Sequence, residues 1–324
     1  MVKYSRGMEE ENTGEFKVGE RLDKALSYVY PQYSRSALEK LILDGYVSVN
    51  GVKKRSSYKI KKDDDVSVDL TLFANPIEQI DIPIIYEDED VVVIDKPIGV
   101  LSHAKGTLHN EPTVATWLKS HCSVIPDPDR ESSQKSSAPG TQNELDPRLH
   151  GNDKPEFWNS NRAGIVHRLD RVTSGVMICA KNELAQVHLQ KQFADRKAKK
   201  TYTALISGQL DEPNGTIDVP IERNPKQPAT FRPGVNGKPA QTEYSVIETT
   251  DENSLVELRP FTGRTHQLRV HMQYMNHPII GDVLYGGKPA SRLYLHAKSL
   301  EITLPSKKRV TFDSPVPKEF KKPI

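Results

Sequence analysis

The chain has 324 residues, 36% hydrophobic and 27% charged, with a formal net charge of +2, as is typical of a soluble protein of about two domains. Its apolar runs are far shorter than the ~18 residues of a membrane span, and its N-terminus lacks an apolar signal stretch, so neither is expected. Two cysteines, Cys122 and Cys179, cannot alone form a disulfide framework or a structural zinc site, which favours a reducing, cytoplasmic location.

The first 75 residues predict an arm followed by a small domain. Residues 1–17 are charged and almost free of apolar side chains, which indicates a disordered arm. Two short amphipathic helices follow, the first ending before Pro31 and the second before Gly45. Asn50-Gly51 then predicts a β-hairpin. Residues 18–75 therefore predict a small domain of two helices and a sheet.

A second domain is predicted over residues 80–324. It begins with two strands around an acidic turn and a further turn at 95–99. Residues 123–161 are dominated by Ser, Pro, Asn, Asp and Lys and lose all periodicity, which predicts a long mobile insertion.

After the insertion, the pattern is one of short strands with two helices. The apolar runs at 164–166 and 176–180 predict a strand–loop–strand unit, and Asn182 is expected to cap a helix that buries Leu184, Val187 and Phe193. The domain continues with a strand at 202–206, several further short strands and a helix at about 265–275. We expect an α+β fold with a mixed, mostly antiparallel sheet and flanking helices.

The polar loop 167–175 contains one candidate catalytic carboxylate. Asp170 lies near Arg168 and Arg171, and neighbouring positive charge keeps a carboxylate ionised. An ionised carboxylate can act as a nucleophile. The same group could instead form a structural ion pair that holds the loop, and spacing alone favours this interpretation over the nucleophile.

A second polar constellation spans 262–271. Arg264 and His266 precede the predicted helix, where basic residues bind phosphates or meet a carboxylate. His266 and His271 do not share a helix face well, and there is no HExxH motif or Cys/His cluster, so no metal is expected. The glycine-rich motifs of nucleotide sites and the Gly-Xaa-Ser-Xaa-Gly of α/β-hydrolases are also absent.

Positive charge concentrates near the C-terminus. Residues 259–324 contain twelve lysines and arginines against four acids, a formal charge of +8. Such a segment suggests a polyanion such as nucleic acid, or a solvated surface that acidic patches elsewhere balance.

These motifs resemble those of the RluA-type pseudouridine synthases. The run from Gly164 to Gly175, Gly-Ile-Val-His-Arg-Leu-Asp-Arg-Val-Thr-Ser-Gly, is similar to the family's catalytic motif. Other family-like motifs occur in order, at 95–99 with His103, 200–205, 237–244, 263–269 and 277–287, while residues 18–72 resemble an S4 RNA-binding domain. Two features depart from the family pattern. One is the long insertion 123–161, and the other is Val172, which stands where a polar residue is common.

The resemblance implies a reaction and roles for three residues. The family breaks the N-glycosidic bond of a uridine in RNA, rotates the base and joins C5 to C1′, without metal or cofactor. Asp170 aligns with the essential carboxylate, acting either on C1′ or as a base at the ribose, and Arg264 with its ion-pair partner. Tyr202 aligns with a tyrosine that stacks on the uracil, although its own pattern fits an ordinary strand aromatic equally well.

The resemblance also implies contacts with RNA. Independently of it, we expect a monomer, and the short apolar runs predict no membrane partner. A base inside a helix must be extruded at a cost of a few kcal/mol, and Arg168 aligns with the arginine that fills the vacated space. His167, Arg171 and Arg269 are further candidate contacts in the catalytic domain. Candidates in the S4-like domain are its basic residues Arg21, Arg35, Lys40, Lys53, Lys54 and Arg55.

Four functions are compatible with these observations. Members with an N-terminal S4 domain mostly act on large-subunit ribosomal RNA, so 23S rRNA is the expected substrate. A synthase for tRNA or several RNAs belongs to the same chemical class. A non-catalytic RNA-binding or ribosome-assembly factor is disfavoured because Asp170, Arg264 and Tyr202 are all present. A hydrolase that uses Asp170 lacks a visible partner base or metal.

Overall fold

The computed structural model describes residues 17–31, 33, 35–70, 78–104, 111–124, 155–158, 162 and 164–321. The predicted arm (except Lys17), residues 71–77 and most of the 123–161 insertion lie outside these residues. The chain divides into two compact units, one of residues 1–79 with 104–112, and one of 80–103 with 113–324. No helix in the described part of the chain has both the length and the apolar character needed to cross a bilayer.

The first unit contains the predicted two helices and small sheet. Its elements are α1 (Leu22–Val29), α2 (Arg35–Asp44), β1 (Val47–Val49), β2 (Val52–Lys53) and β3 (Val66–Val68). The antiparallel sheet has the order β2-β1-β3. Asn50 and Gly51 connect β1 to β2 with φ of 54° and 73°, the left-handed pair that a tight hairpin turn needs. The hairpin prediction is therefore confirmed.

The second unit is built on one large sheet. The strands of this unit are β4 (Ile84–Glu87), β5 (Val91–Lys96), β6 (Ser174–Ala180), β7 (Lys199–Ser207), β8 (Asn214–Asp218), β9 (Ile221–Arg223), β10 (Phe231–Pro233), β11 (Gln241–Thr249), β12 (Asn253–Pro260), β13 (Leu295–Thr303) and β14 (Arg309–Asp313). Its helices are α3 (Val114–Val124), α4 (Pro155–Trp158), α5 (Glu183–Ala194) and α6 (Gln267–Tyr274), with 3-10 turns at Val283–Tyr285 and Lys318–Lys321.

Nine strands form this sheet, in the order β4-β5-β6-β13-β7-β12-β11-β8 with β14 paired to β13. All of the named pairings are antiparallel except the one between β6 and β13. β9 and β10 form a separate two-stranded ribbon. Every residue of β6 is buried, which places this strand at the centre of the core. The expected mixed, mostly antiparallel α+β fold is confirmed.

Two local expectations were wrong. Helix α5 is capped by Asn182 as predicted, but Leu184 and Val187 are 79% and 61% exposed, and Ala185 and Leu189 are its buried residues. The apolar run at 164–166 forms an isolated bridge from Ile165 to the β6 strand rather than a strand of its own. These errors share a cause, because a short apolar run can pair or face the core in several ways and tertiary packing selects one.

The segment 123–161 is not uniformly without structure. Helix α3 extends to Val124, and α4 lies within the segment. Trp158 packs against the buried cluster that includes Leu118 and Ile165. Residues 123–124 and 155–158 of the predicted insertion are therefore helical, and its remaining residues lie outside the described part of the chain.

Candidate active site

The loop that carries Asp170 is fixed by the 95–102 segment. Ser102 Oγ donates to the carbonyl of Leu169 at 2.8 Å and accepts from the Leu169 amide at 3.1 Å. The amide of Gly99 donates to the carbonyl of Arg171 at 2.8 Å. Because both neighbours of Asp170 are held through backbone bonds, its side chain is left to face the site.

Beneath this loop lies a fully buried lysine. Lys96 is 0% exposed, and its Nζ donates to the carbonyls of Pro97 and Val100 at 2.7 and 2.8 Å. Burial lowers the pKa of Lys96 to about 8, although the nearby Asp170 carboxylate opposes the shift. The sequence indicated a turn here, and the structure shows the lysine stabilising that turn from inside.

Gly175 allows the two central strands to meet behind the loop. Its φ is 115°, and a Cβ at this position would lie 2.2 Å from the carbonyl oxygen of Ala297 in β13. No side chain fits at that distance. The glycine at the end of the motif is therefore required by the close parallel approach of β6 and β13.

Asp170 opens into a cavity of about 480 Å³. This volume lies in the range of sites for small ligands. Among the residues that line the cavity, Asp170 is the single carboxylate. The lining also contains several basic and aromatic side chains, which include Arg168, Phe193, Arg196, Lys200, Tyr202, Arg264, His266 and Arg269. A negatively charged or polar ligand with an aromatic part fits this lining.

The Asp170 carboxylate faces two cationic or polar groups. Its Oδ2 lies 3.8 Å from His266 Nε2 and 3.7 Å from Arg269 Nη1. Arg269 is also bound to Asp282, through Nε at 2.7 Å and Nη2 at 2.7 Å, with both side chains almost fully buried. Burial disfavours the charged form of Arg269, but its bonds to Asp282 outweigh this and raise its pKa. A fixed positive charge therefore lies beside Asp170.

The structure corrects the expected partner of Asp170. Arg264 Nε donates to the carbonyl of Pro239 at 3.0 Å, and its guanidinium makes no ion pair with Asp170 among the described residues. Arg264 lines the cavity all the same. Arg269, five residues later, occupies the ion-pairing position because helix α6 begins at Gln267 and turns this side chain inward.

Two residues predicted to contact RNA have other contacts. Arg269 is 6% exposed and its guanidinium is bound within the protein. His167 Nε2 accepts the amide proton of Ile178 at 3.0 Å, and its ring stacks on Phe193 at 4.5 Å. Burial lowers the pKa of His167 to about 3, so this ring is neutral and offers no charge to a phosphate. Arg168 and Arg171 are exposed on the same loop, as an RNA contact requires.

Tyr202 lies in the middle of the sheet and lines the cavity. It is paired with Leu258 on one side and Ala297 on the other, which fixes its backbone. Burial raises its pKa, and the Asp170 carboxylate raises it further, so the phenol is protonated. The structure therefore brings together Asp170, Tyr202 and Arg168, as the motifs imply.

Lys200 is a cavity residue to which the sequence analysis gave no role. It precedes Tyr202 by two positions in β7 and so shares its face of the strand. Its Nζ donates to the carbonyl of Thr262 at 3.3 Å, and burial lowers its pKa to about 8. The alternation of side chains along β7, which is visible in the sequence, already places Lys200 on the same face as Tyr202.

The candidate RNA-contact residues of the S4-like unit differ in whether their side chains are already bound within the protein. Arg21 and Arg35 are about half exposed and both bind the buried Asp23, at 3.0 and 2.6 Å. Burial alone would raise the pKa of Asp23, but these bonds outweigh it and hold the pKa well below its usual range. Lys54 lies over the Tyr58 ring. Exposed positions include Lys40, Lys53 and Arg55.

Within the part of the chain that the structure describes, no group of three His, Cys, Asp or Glu side chains could hold a metal ion. Cys122 and Cys179 are free thiols, and burial raises the pKa of Cys122 to about 11. The chemistry available in the cavity is therefore that of a carboxylate, two or more cations and a protonated phenol.

Comparison with known proteins places these motifs in a family. The RNA pseudouridylate synthase family profile matches residues 90–274, and the S4 domain profile matches residues 20–66. An uncharacterized RNA pseudouridine synthase of Aquifex aeolicus is 38% identical over 86% of this chain and 81% of its own length. The ribosomal large subunit pseudouridine synthase D of Borreliella burgdorferi is 35% identical over 94% and 90%.

Solved structures of pseudouridylate synthase domains are similar to this chain as well. The human RNA pseudouridylate synthase domain containing 1 protein superposes with a TM-score of 0.52 and 27% identity, covering 74% of this chain and 86% of the human one. The mixed, mostly antiparallel sheet matches the fold class expected from the sequence. The chain belongs to the RNA pseudouridine synthase family and carries an S4 domain at its N-terminus.

Proposed function

We propose that this enzyme converts specific uridines of large-subunit ribosomal RNA to pseudouridine in the cytoplasm, with Asp170 as its catalytic carboxylate. The observation that carries the role of Asp170 is its position in the cavity, beside the fixed charge of Arg269 and near Tyr202. The relative from Borreliella burgdorferi named as a large-subunit pseudouridine synthase, which aligns over nearly the whole chain, supports ribosomal RNA as the substrate.

Asp170 would start the reaction at the ribose. Its ionised oxygen either bonds to C1′ as the N1–C1′ bond breaks, or removes a proton from the ribose so that the base leaves by elimination. Arg269 lies beside this carboxylate and orients it, which suits either route. The freed uracil then turns so that C5 bonds to C1′. In the first route this displaces the Asp170 oxygen from C1′, and in the second the abstracted proton returns to the ribose. The C5 proton then passes to a base and N1 takes up a proton, which gives pseudouridine and regenerates the carboxylate.

Tyr202 would bind the extruded uracil, and Arg168 would fill the space that the base leaves. The Tyr202 ring lines the cavity beside Asp170, where it can stack on a uracil. The exposed Arg168 lies two residues before Asp170, at the place where an arginine can occupy the gap left by an extruded base. Arg264 lines the same cavity and its guanidinium bonds to the Pro239 carbonyl rather than to Asp170, so it would contact the RNA.

A basic strip beside the cavity would bind the RNA backbone. Arg309 Nη2 donates to the carbonyl of Lys197 at 2.9 Å, and Lys199 pairs with Glu301 of β13, so the α5–β7 connection and the β13–β14 turn lie together. Arg196 also lines the cavity, which makes the strip continuous with the site. We define the basic strip as Arg196, Lys197, Lys199, Lys307, Lys308 and Arg309.

We expect Lys199→Ala with Lys308→Ala to weaken binding to structured RNA and to make it less dependent on salt. The slope of log affinity against log salt should become shallower by ~0.7–0.9 for each RNA phosphate that the variant no longer neutralises. Fluorescence anisotropy across a series of salt concentrations measures this slope.

The matched control is Lys288→Ala with Lys226→Ala. Lys288 is 60% exposed and pairs with Glu252 at 3.4 Å, much as the 72%-exposed Lys199 pairs with Glu301 at 3.5 Å, but it lies toward the opposite end of β7. An equal change of slope in both variants would mean that the strip is not the RNA path.

The ribosomal substrate is tested by mapping pseudouridines in RNA from cells with and without this protein. Loss of one or a few large-subunit sites, restored by the wild-type chain but not by Asp170→Asn, is the expected result. If the lost sites lie only in tRNA, the substrate is tRNA instead of ribosomal RNA, and the proposed reaction is unchanged. No lost site anywhere would favour a non-catalytic role in ribosome assembly.

A further inference from the structure

We infer that Tyr285 and His266 form a relay that keeps a ring N–H of His266 directed at the Asp170 carboxylate, so that both act as positioning residues. The inference rests on the proposed role of Asp170 and extends it to two side chains that the sequence analysis did not select for catalysis. The relay is built from three consecutive polar contacts in the second unit.

The first contact fixes the hydroxyl of Tyr285. The backbone amide of Phe231 lies 2.9 Å from Tyr285 Oη, and because an amide can only donate, the hydroxyl oxygen accepts. Tyr285 is 3% exposed, so its own proton needs an acceptor inside the protein. His266 Nδ1 lies 2.7 Å away and supplies it.

The second contact fixes the tautomer of His266. A neutral imidazole carries one proton, and when Nδ1 accepts from Tyr285 that proton resides on Nε2. The opposite tautomer would leave the buried hydroxyl proton of Tyr285 without an acceptor among the described residues, at the cost of an unmade hydrogen bond. The bond pattern therefore selects the Nε2–H form.

The third contact directs this N–H at the catalytic loop. His266 Nε2 is 3.8 Å from Asp170 Oδ2, the oxygen that Arg269 also faces. The ring is held at its edges by Phe231 and Tyr285, with centroids 5.5 and 5.6 Å away. Its backbone has φ of 57°, an uncommon conformation for a residue with a side chain, which the start of α6 maintains.

The consequence is electrostatic. An N–H facing Asp170 attracts the carboxylate, whereas a bare nitrogen lone pair in its place would repel it. Burial lowers the pKa of His266 against the opposing influence of Asp170, so near neutral pH the ring is uncharged and the tautomer decides the sign of the contact. The charged groups around the ring are Asp170, Arg269, Asp282 and Arg168.

Tyr285→Phe tests the relay through its pH dependence. Without the hydroxyl, His266 is free to carry its proton on Nδ1, and we expect kcat near pH 8 to fall about tenfold, the scale of one hydrogen bond, with KM little changed. Protonation at lower pH restores an N–H on Nε2, and because burial lowers the pKa of His266, the ratio of wild-type to variant kcat should shrink only as the pH falls below about 6. Tyr244→Phe, another buried tyrosine, should leave both quantities unchanged.

Nitrogen-15 NMR of histidine-labelled wild-type protein, with the His266 signal assigned by its loss in His266→Gln, reads the tautomer without any turnover. The Nε2–H form at the higher pH is the expected result. The Nδ1–H form, an imidazolium at that pH, or a Tyr285→Phe defect of equal size at every pH would overturn the relay. Failure of the proposed function would appear separately, as an active Asp170→Asn enzyme, and would leave the tautomer measurement intact.

Discussion

Replacing Asp170 with asparagine is expected to lower the isomerisation rate by about 10⁴-fold or more, the scale seen when a nucleophile or its essential base is removed. The change removes the negative charge next to Arg269 while keeping nearly the same volume. RNA affinity should therefore stay within a few fold of wild type. Single-turnover release of tritium from RNA containing 5-tritiated uridine measures loss of the C5 proton directly.

Asp313→Asn is the matched control, since Asp313 is an exposed carboxylate at the end of β14, and it should retain full activity. Mass spectrometry of the Asp170→Asn protein excludes deamidation back to aspartate as a source of residual turnover. Activity within tenfold of wild type would remove Asp170 from the catalytic role, and the cavity would then need another nucleophile or base.

The parts of the fold that followed from the sequence are those fixed by local chemistry. The Asn50-Gly51 hairpin and the Asn182 cap depend on neighbouring residues, and both form as predicted. The buried face of α5 was wrong because the apolar residues of that helix lie on two sides and only packing against the sheet selects Ala185 and Leu189.

In the candidate site too, the features set by neighbouring residues could be predicted, whereas those set by tertiary packing could not. The motif around Asp170 could be found from its residues, but its ionic partner could not, because Asp170 and Arg269 are 99 positions apart and Arg269 meets Asp282 only in the folded chain. Arg264 and Arg269 lie in one motif, and the choice between them depends on where α6 begins. His167 was expected to contact RNA, but its ring is engaged within the protein and burial lowers its pKa, so it offers no charge to a phosphate.

Arg269→Met is expected to be the most destabilising of the substitutions at this site. It leaves the Asp282 carboxylate, 1% exposed, without its bidentate partner, and removing one member of a buried ion pair typically costs about 3–5 kcal/mol. Activity should fall as well, because the Asp170 carboxylate loses its fixed positive neighbour. Thermal melting followed by circular dichroism measures the first effect, and the tritium assay the second.

Adding Asp282→Asn to Arg269→Met separates stability from catalysis. The double variant has no uncompensated charge at position 282, so it should regain much of the lost stability, whereas Asp170 still lacks its partner and the rate should remain low. Arg264→Ala is the control within the same motif: among the described residues its guanidinium bonds to the Pro239 carbonyl, an exposed contact, so melting should change little. A double variant that regains wild-type turnover would show that Arg269 serves the fold alone, and that His266 suffices to orient Asp170.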